Sequence, residues 1–509
     1  MRYLLPVLLV LGPSWQALAQ TPATPPIEIQ IGQAAADAGA GRLLLFAQKV
    51  APNAAEAPAV IDADPFESRN FAAAREVSGL KPGMRLRFHH DDKAYPAPID
   101  ELPPGDYWMQ ALLDRDHSYA YSGRGAGDVV SKVVRVSLPH SGAPLALTLD
   151  SVLPEVAQWD FPGMKRPWAP GEKAMVEARI TPFALDSQRM RAFAGRSIPL
   201  KGYVLTPPGY DEGATRYPVV YFTHGYQAGM TALADAAIGL LRQTTAGSLP
   251  PMIWVLLDQS SPTGTHEFVD SVNNGPWGAA LTQELLPDID QRYRTDPRAG
   301  RFVMGHSSGG WAALWLQIRY PELFRGAWAT SPDFLDFSSI GSLDLTDAKA
   351  VKQGLAMGRM EDVLGDYGGQ DQSFEWVFSP RGSDGRPMRL YDRHSGVIDR
   401  EVADYWLAHY DLSRIVRQRW PALKAQLDGK IHIYVGDQDP YQLDKSVRKF
   451  DEALKSVGAH ASIAYLAGKG HFDLYAEGNE RMALRRKMGW QIWKAAYPDS
   501  DRQDPGPPK

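Results

Sequence analysis

The chain contains no cysteine. That absence removes thiolate nucleophiles, thiolate zinc sites and iron–sulfur clusters, and it leaves the fold without disulfides. Long apolar runs are missing as well. The stretch from Leu4 to Leu11 is too short to span a bilayer comfortably, and nothing later approaches a spanning length. Neither sign of charge dominates: 54 Lys and Arg stand against 59 Asp and Glu, a net charge of −5. No basic stripe is present, so nucleic acid is excluded as the expected partner. Stability has to come from the core, and 509 residues, 44% of them hydrophobic, are ample for two domains.

What is there begins with Met1–Gln20. One Arg, an apolar core, a Gly-Pro break and Ala17-Leu18-Ala19 read as a secretory signal peptide over residues 1–19. No Cys follows it, so the expectation is an exported, unanchored protein, periplasmic or secreted. Residues 21–26 form a Pro/Thr/Ala leader. From 27 to about 150 short alternating strands are separated by turn signals, among them Ile27–Ile31, Gly41–Phe46, Met84–Phe88, Tyr107–Leu112 and Val133–Leu138. This spacing predicts a β-sandwich-like N-terminal domain. His89-His90-Asp91-Asp92 resembles a metal motif, but adjacent strand side chains point to opposite faces, so it reads as a solvated strand end or turn. Residues 151–197 form an aromatic- and proline-containing connector, with a short helix expected over Thr181–Ala194.

From residue 198 the texture changes to buried strands alternating with helices. Tyr217–Thr223, Met252–Leu257, Gly326–Thr330, Ile431–Val435 and Ser462–Leu466 are near-continuous apolar runs, as strands buried on both faces require. Leu281–Tyr293 carries a helical stripe with Pro287 as an irregularity. The centre of this half is Arg301–Trp311: Phe302-Val303-Met304 leads into Gly305-His306-Ser307-Ser308-Gly309, and a helical pattern follows. Strand, sharp turn and helix with G-x-S-x-G at the turn push a serine hydroxyl out above the sheet. A mostly parallel sheet gathers functional groups at the carboxyl ends of its strands, and Gly225-Tyr226, Ser307, Asp439 and His471 all fall there. Serine, then acid, then histidine is the α/β-hydrolase order.

Each residue type answers a chemical need. A serine hydroxyl is a weak nucleophile and requires a base. Ser307 is the candidate nucleophile and His471, after a Gly-x-Gly turn, the candidate base. Asp439 is favoured as the acid, with Asp437 bracing the loop and Asp473 as a third option. The backbone N–H groups of Tyr226 and Ser308 are the candidate oxyanion donors. Trp277 and Asp333 are weaker candidates for substrate binding, and for Trp277 a core role is an equal reading.

Leu205–Tyr210, Tyr217–Gly225, Glu284–Pro287 and Gly305–Gly310 together resemble the putative-esterase family of α/β-hydrolases, which groups esterase D-like enzymes, enterochelin-type esterases, feruloyl esterases and mycolyltransferases. The resemblance covers residues 198–498. It implies a serine carboxylester hydrolase that uses no cofactor and no metal, takes a small-molecule or polysaccharide-linked ester through an acyl-enzyme, and uses Ser307, Asp439 and His471 as its triad. An insertion at about 334–430 departs from the pattern and reads as a cap over the site. The alternatives are an acyltransferase with the same triad and a non-catalytic binding protein on a hydrolase fold.

Overall fold

The computed structural model describes residues 27–35, 39–52, 54, 56–63, 70–139, 144–157, 159, 168–341, 343–347, 351, 354–365 and 367–506. The segments expected as signal peptide and leader lie outside the described residues. No described helix is long and apolar enough to cross a membrane.

The N-terminal part is built of two sheets. One has three strands, Glu28–Ile31 lying between Arg85–Arg87 and Ala146–Leu149. The other is larger and centres on Ala40–Lys49, Phe71–Ser78 and Gly105–Asp114. Period-2 alternation gives its strands two different faces. Leu43, Leu45, Met109 and Leu113 pack toward the small sheet with Ile29 and Leu147. Leu44, Phe46, Trp108 and Leu112 face the other way, onto Met360, Val363 and Leu364 of the insertion. The sheet is therefore buried on both sides, and its second cover comes from the other half of the chain. Phe71–Ser78 is a strand that its sequence hides, because three consecutive alanines carry no strand pattern; antiparallel pairing with Ala40–Ala47 decides it. His89–Asp92 is a turn, closed by the His89 amide donating to Asp92 Oδ2 at 2.7 Å.

The second half is an α/β-hydrolase fold. Its eight-stranded sheet runs Ile180–Asp186, Pro199–Leu205, Ile253–Leu257, Val219–Thr223, Arg301–His306, Ala327–Thr330, Ile431–Gly436, Ala461–Leu466. Pro199–Leu205 is antiparallel to both its neighbours, and the remaining pairs are parallel. Ser308–Arg319 packs on one face. Met230–Thr245 and Ala483–Ala496 cover the other.

Two helix expectations are corrected. Over Thr181–Ala194 the structure places an edge strand, Ile180–Asp186, followed by the helix Gln188–Ala194, whose N-cap Ser187 accepts from the Met190 amide. Pro182 is tolerated because the strand lies at the sheet edge. Leu281–Tyr293 is a segmented helix: a π turn over Leu281–Leu285 joins Trp277–Ala280 to Leu286–Arg292. Pro287 has no N–H to donate, and the ladder widens just before it. The chain between Thr330 and Ile431 holds four helices among its described residues, Leu355–Leu364, Gln370–Phe378, Arg400–His409 and Leu412–Leu427.

Candidate active site

Strand Arg301–His306 delivers Ser307 at the N-terminus of Ser308–Arg319. Its φ of 57° and ψ of −126° lie in a region that a side chain normally avoids. The turn closes only because its neighbours lack side chains: a Cβ on Gly305 would sit 2.0 Å from the Gly309 carbonyl oxygen, and one on Gly309 2.4 Å from that of Thr223. Gly225 packs against the turn less tightly, with a Cβ there falling 3.1 Å from Ser307 Cβ. Among the described residues, the amides of Tyr226 and Ser308 donate to no protein acceptor.

The last two strands bring acid and histidine together. Gly436 allows the contact, since a Cβ there would meet the Lys469 carbonyl oxygen at 2.1 Å. The Gln438 amide donates to that same oxygen at 2.9 Å, and Asp437 Oδ1 accepts from the Gly468 amide at 2.7 Å. With the two loops tied, His471 Nδ1 lies 2.8 Å from Asp439 Oδ2, and Asp439 Oδ1 accepts from the Tyr441 amide at 2.9 Å. Both side chains are buried. Asp437 faces the loop, and Asp473 accepts from the Gly470 amide at 2.6 Å. Neither reaches the ring.

The Ser307 hydroxyl donates to Asp333 Oδ1 at 3.2 Å, and no hydrogen bond joins it to His471 among the described residues. Asp333 Oδ2 accepts from Ser308 Oγ at 2.6 Å. Burial pushes the Asp333 carboxyl above its usual range, against the hydroxyls of Ser308 and Ser307 and the nearby His471. Beneath it Glu267 is fully buried at a positive φ of 52°, and burial, then Asp333, push its carboxyl well up. His306 lies beside His471, with ring centroids 4.6 Å apart, and its Nδ1 is 3.1 Å from Thr330 Oγ1. His224 lies 3.0 Å from Asp258 Oδ1 and 2.8 Å from the Gly225 carbonyl oxygen, so it braces the loop that carries Gly225 and Tyr226. Burial alone would raise Asp258, yet its bonds from His224 and Ser260 hold it at about 2.

A cavity of about 580 Å³ opens over Ser307, His471 and Asp333. The insertion supplies much of its apolar wall, with Leu343, Val351, Met357 and Phe374. Asp371 also lines it, accepting from the Tyr391 hydroxyl. No Lys or Arg is among the described residues that line it. Trp277 does not reach this cavity. It is buried, stacked on His266 at 3.7 Å, and its Nε1 donates to the Asn274 carbonyl.

Sequence reasoning missed the support of the loop 225–228 by the N-terminal domain. The Tyr121 hydroxyl donates to the Ala228 carbonyl at 2.8 Å, and its ring meets Tyr226 edge-on at 5.2 Å. The Tyr226 hydroxyl donates to the Gly368 carbonyl of the insertion at 2.5 Å. The only signal in the chain was the Tyr119-Ala120-Tyr121 pair following an acidic turn.

Comparison with known proteins agrees with this region. The family model described as putative esterase matches residues 197–497. No curated protein sequence matches the chain. Among solved structures, a ferulic acid esterase is 17% identical, with 62% of this chain and 98% of that one covered and a TM-score of 0.39. An S-formylglutathione hydrolase from Agrobacterium tumefaciens is 16% identical, with 62% and 94% covered and a TM-score of 0.39. Carboxyl esterase 2 from Tuber melanosporum is 16% identical, with 68% and 92% covered and a TM-score of 0.40.

Proposed function

We propose that this chain, which belongs to the putative esterase family and is a carboxylic ester hydrolase, acts through Ser307, His471 and Asp439 by way of an acyl-enzyme. The observation that carries this reading is the buried 2.8 Å contact of His471 Nδ1 with Asp439, beside a serine held in a strained turn. With Nδ1 engaged, Nε2 is the nitrogen left to take the Ser307 proton. Rotation about the Ser307 Cα–Cβ bond moves the hydroxyl from Asp333 to that nitrogen. The oxygen then attacks the ester carbonyl, and the oxyanion is met by the Tyr226 and Ser308 amides. His471 returns the proton to the leaving alcohol. Water, activated by the same ring, hydrolyses the acyl-enzyme and restores Ser307. Donors of this kind contribute about 2.7–4 kcal/mol each.

The substrate follows from the wall. An apolar cavity with no cation among its described lining residues favours an uncharged acyl group, aliphatic or aromatic, over an acyl chain ending in a carboxylate, whose charge would lie near Asp371 and Asp333. Export is part of this proposal and rests on the N-terminal segment alone.

A panel of nitrophenyl esters tests the reading, with Ser307→Ala as control. Uncharged butyryl and cinnamoyl esters should exceed a hemisuccinyl ester in kcat/KM by about 10²-fold or more, and Ser307→Ala should lose turnover on all of them while staying folded. Equal rates on the charged ester overturn the substrate class. Wild-type turnover in Ser307→Ala overturns the mechanism.

A further inference from the structure

Where the large N-terminal sheet ends, strand Gly105–Asp114 runs into the turn Arg115–Ser118 and then the short helix Tyr119–Ser122. One carboxylate oxygen from each of Asp114, Asp116 and Asp128 lies within 4.8 Å of the others. Asp114 and Asp128 are each only 1% exposed. His117 pairs with Glu76 and Arg124 with Asp62 rather than with any of the three. The nearby Arg124 is committed elsewhere, to Asp62, Gln110 and the Ile61 carbonyl. Buried carboxyls are hydrogen-bonded, neutralised, paired or bound to a metal.

A second observation points to a ligand. Asp114 Oδ1 is buried and has no hydrogen-bond partner. The other contacts of the cluster are structural: Asp114 Oδ2 accepts from the Tyr119 amide at 3.1 Å, Asp116 Oδ1 from Ser118, and Asp128 from the Arg115 and Gly125 amides at 3.2 and 2.7 Å. These fix the three side chains in place but leave Asp114 Oδ1 unsatisfied.

We infer that Asp114, Asp116 and Asp128 form a binding site for a hard divalent cation of the calcium class. The donors are all oxygens, with no imidazole or thiolate among them, which selects against zinc and copper. Asp114, Asp116 and Ser118 alternate along one turn, a spacing that lets a loop wrap a calcium ion, and Asp128 closes the set from a second segment. Ser118 Oγ and Asp128 Oδ2 face the same space, each 3.6 Å from where a Cβ on Gly125 would sit. An irregular loop suits calcium's flexible shell of six to eight oxygens better than the strict octahedron of magnesium.

The position gives the cation a structural task. It ties the end of Gly105–Asp114 to the Asp128 turn, directly before Tyr119 and Tyr121. Tyr121 is the residue that holds the Ala228 carbonyl, so the site sits one step behind the oxyanion loop; this consequence, unlike the binding itself, rests on the function proposed above.

The test is calorimetric titration of the EGTA-stripped full chain with calcium chloride, with thermal unfolding followed in parallel. One calcium ion per chain should bind, magnesium should bind more weakly, and millimolar calcium should raise Tm by about 3 °C or more. Asp116→Asn changes an exposed side chain and keeps the fold, and it should lose both effects. Ser307→Ala should keep both, which separates this site from the esterase mechanism. Absence of binding to the wild-type chain, or a Tm shift of equal size in Asp116→Asn, overturns the proposal.

Discussion

At the scale of single residues, the two aspartates just beyond the strand Ile431–Gly436 make different contacts. Asp439 is buried against His471, whereas Asp437 holds the Gly468 amide in an exposed loop. A carboxylate on Nδ1 fixes the tautomer of the ring and stabilises its charged form during attack. Asp439→Asn should therefore lower kcat by about 10⁴-fold, and Asp437→Asn should stay within about tenfold because one neutral acceptor still serves the loop. Steady-state kinetics on one ester decides it, and the reverse ranking would reassign the acid. These positions were legible because each ends a buried apolar strand. Asp333 was read from the sequence only as a weak candidate for substrate binding; its hydrogen bonds to both Ser307 and Ser308 were not legible, because they depend on the approach of two strand ends.

Among elements, the oxyanion loop is gripped from two sides. The N-terminal domain holds it through Tyr121, and the insertion holds it through Gly368 and Tyr226. The insertion is itself anchored to the N-terminal sheet, where buried Arg42 donates to the Val363 carbonyl at 2.9 and 3.0 Å, capping the helix Leu355–Leu364. Tyr121→Phe keeps the ring and removes the bond to Ala228. Because the loop amide acts on the oxyanion rather than on bound ester, kcat should fall roughly three- to tenfold with KM little changed. Stability should drop by about 1 kcal/mol. An unchanged kcat would show that the loop needs no support from this domain. Such bridges are invisible in a sequence, where Tyr121 and Ala228 are far apart. The same limit hid the strand Phe71–Ser78, whose alanines favour a helix until pairing overrides them.

For the whole molecule, three histidines resist protonation, His266 buried and His306 and His432 half-buried. Burial holds His266 and His306 at about 3, with His471 adding to the effect at His306, and burial holds His432 at about 4. The ordinary value is 6.5, so these folded-state values are depressed. Their contribution to stability is complete above pH 6.5 and is lost as pH falls toward 4 and 3. Near pH 5 these three rings alone bind about three more protons in the unfolded chain than in the folded one. They are opposed by Glu375, Asp114 and Asp411, which burial raises to about 7, 6 and 6 so that they hold protons in the folded chain. Ring-proton NMR at pH 5 should find all three rings neutral in the folded chain; rings already charged at that pH would contradict this. The α/β half was largely legible because strands buried on both faces and separated by helices leave few topologies. The cavity was not, since its wall comes from an insertion whose sequence carries no substrate signature.

The central claim is that Ser307 is an activated nucleophile, and covalent labelling by a fluorophosphonate reads this directly. Intact mass and peptide mapping should find one adduct, on Ser307, in the wild-type chain, and none in Ser307→Ala. A folded wild-type chain that takes up no adduct, or carries it on another residue, would contradict the account.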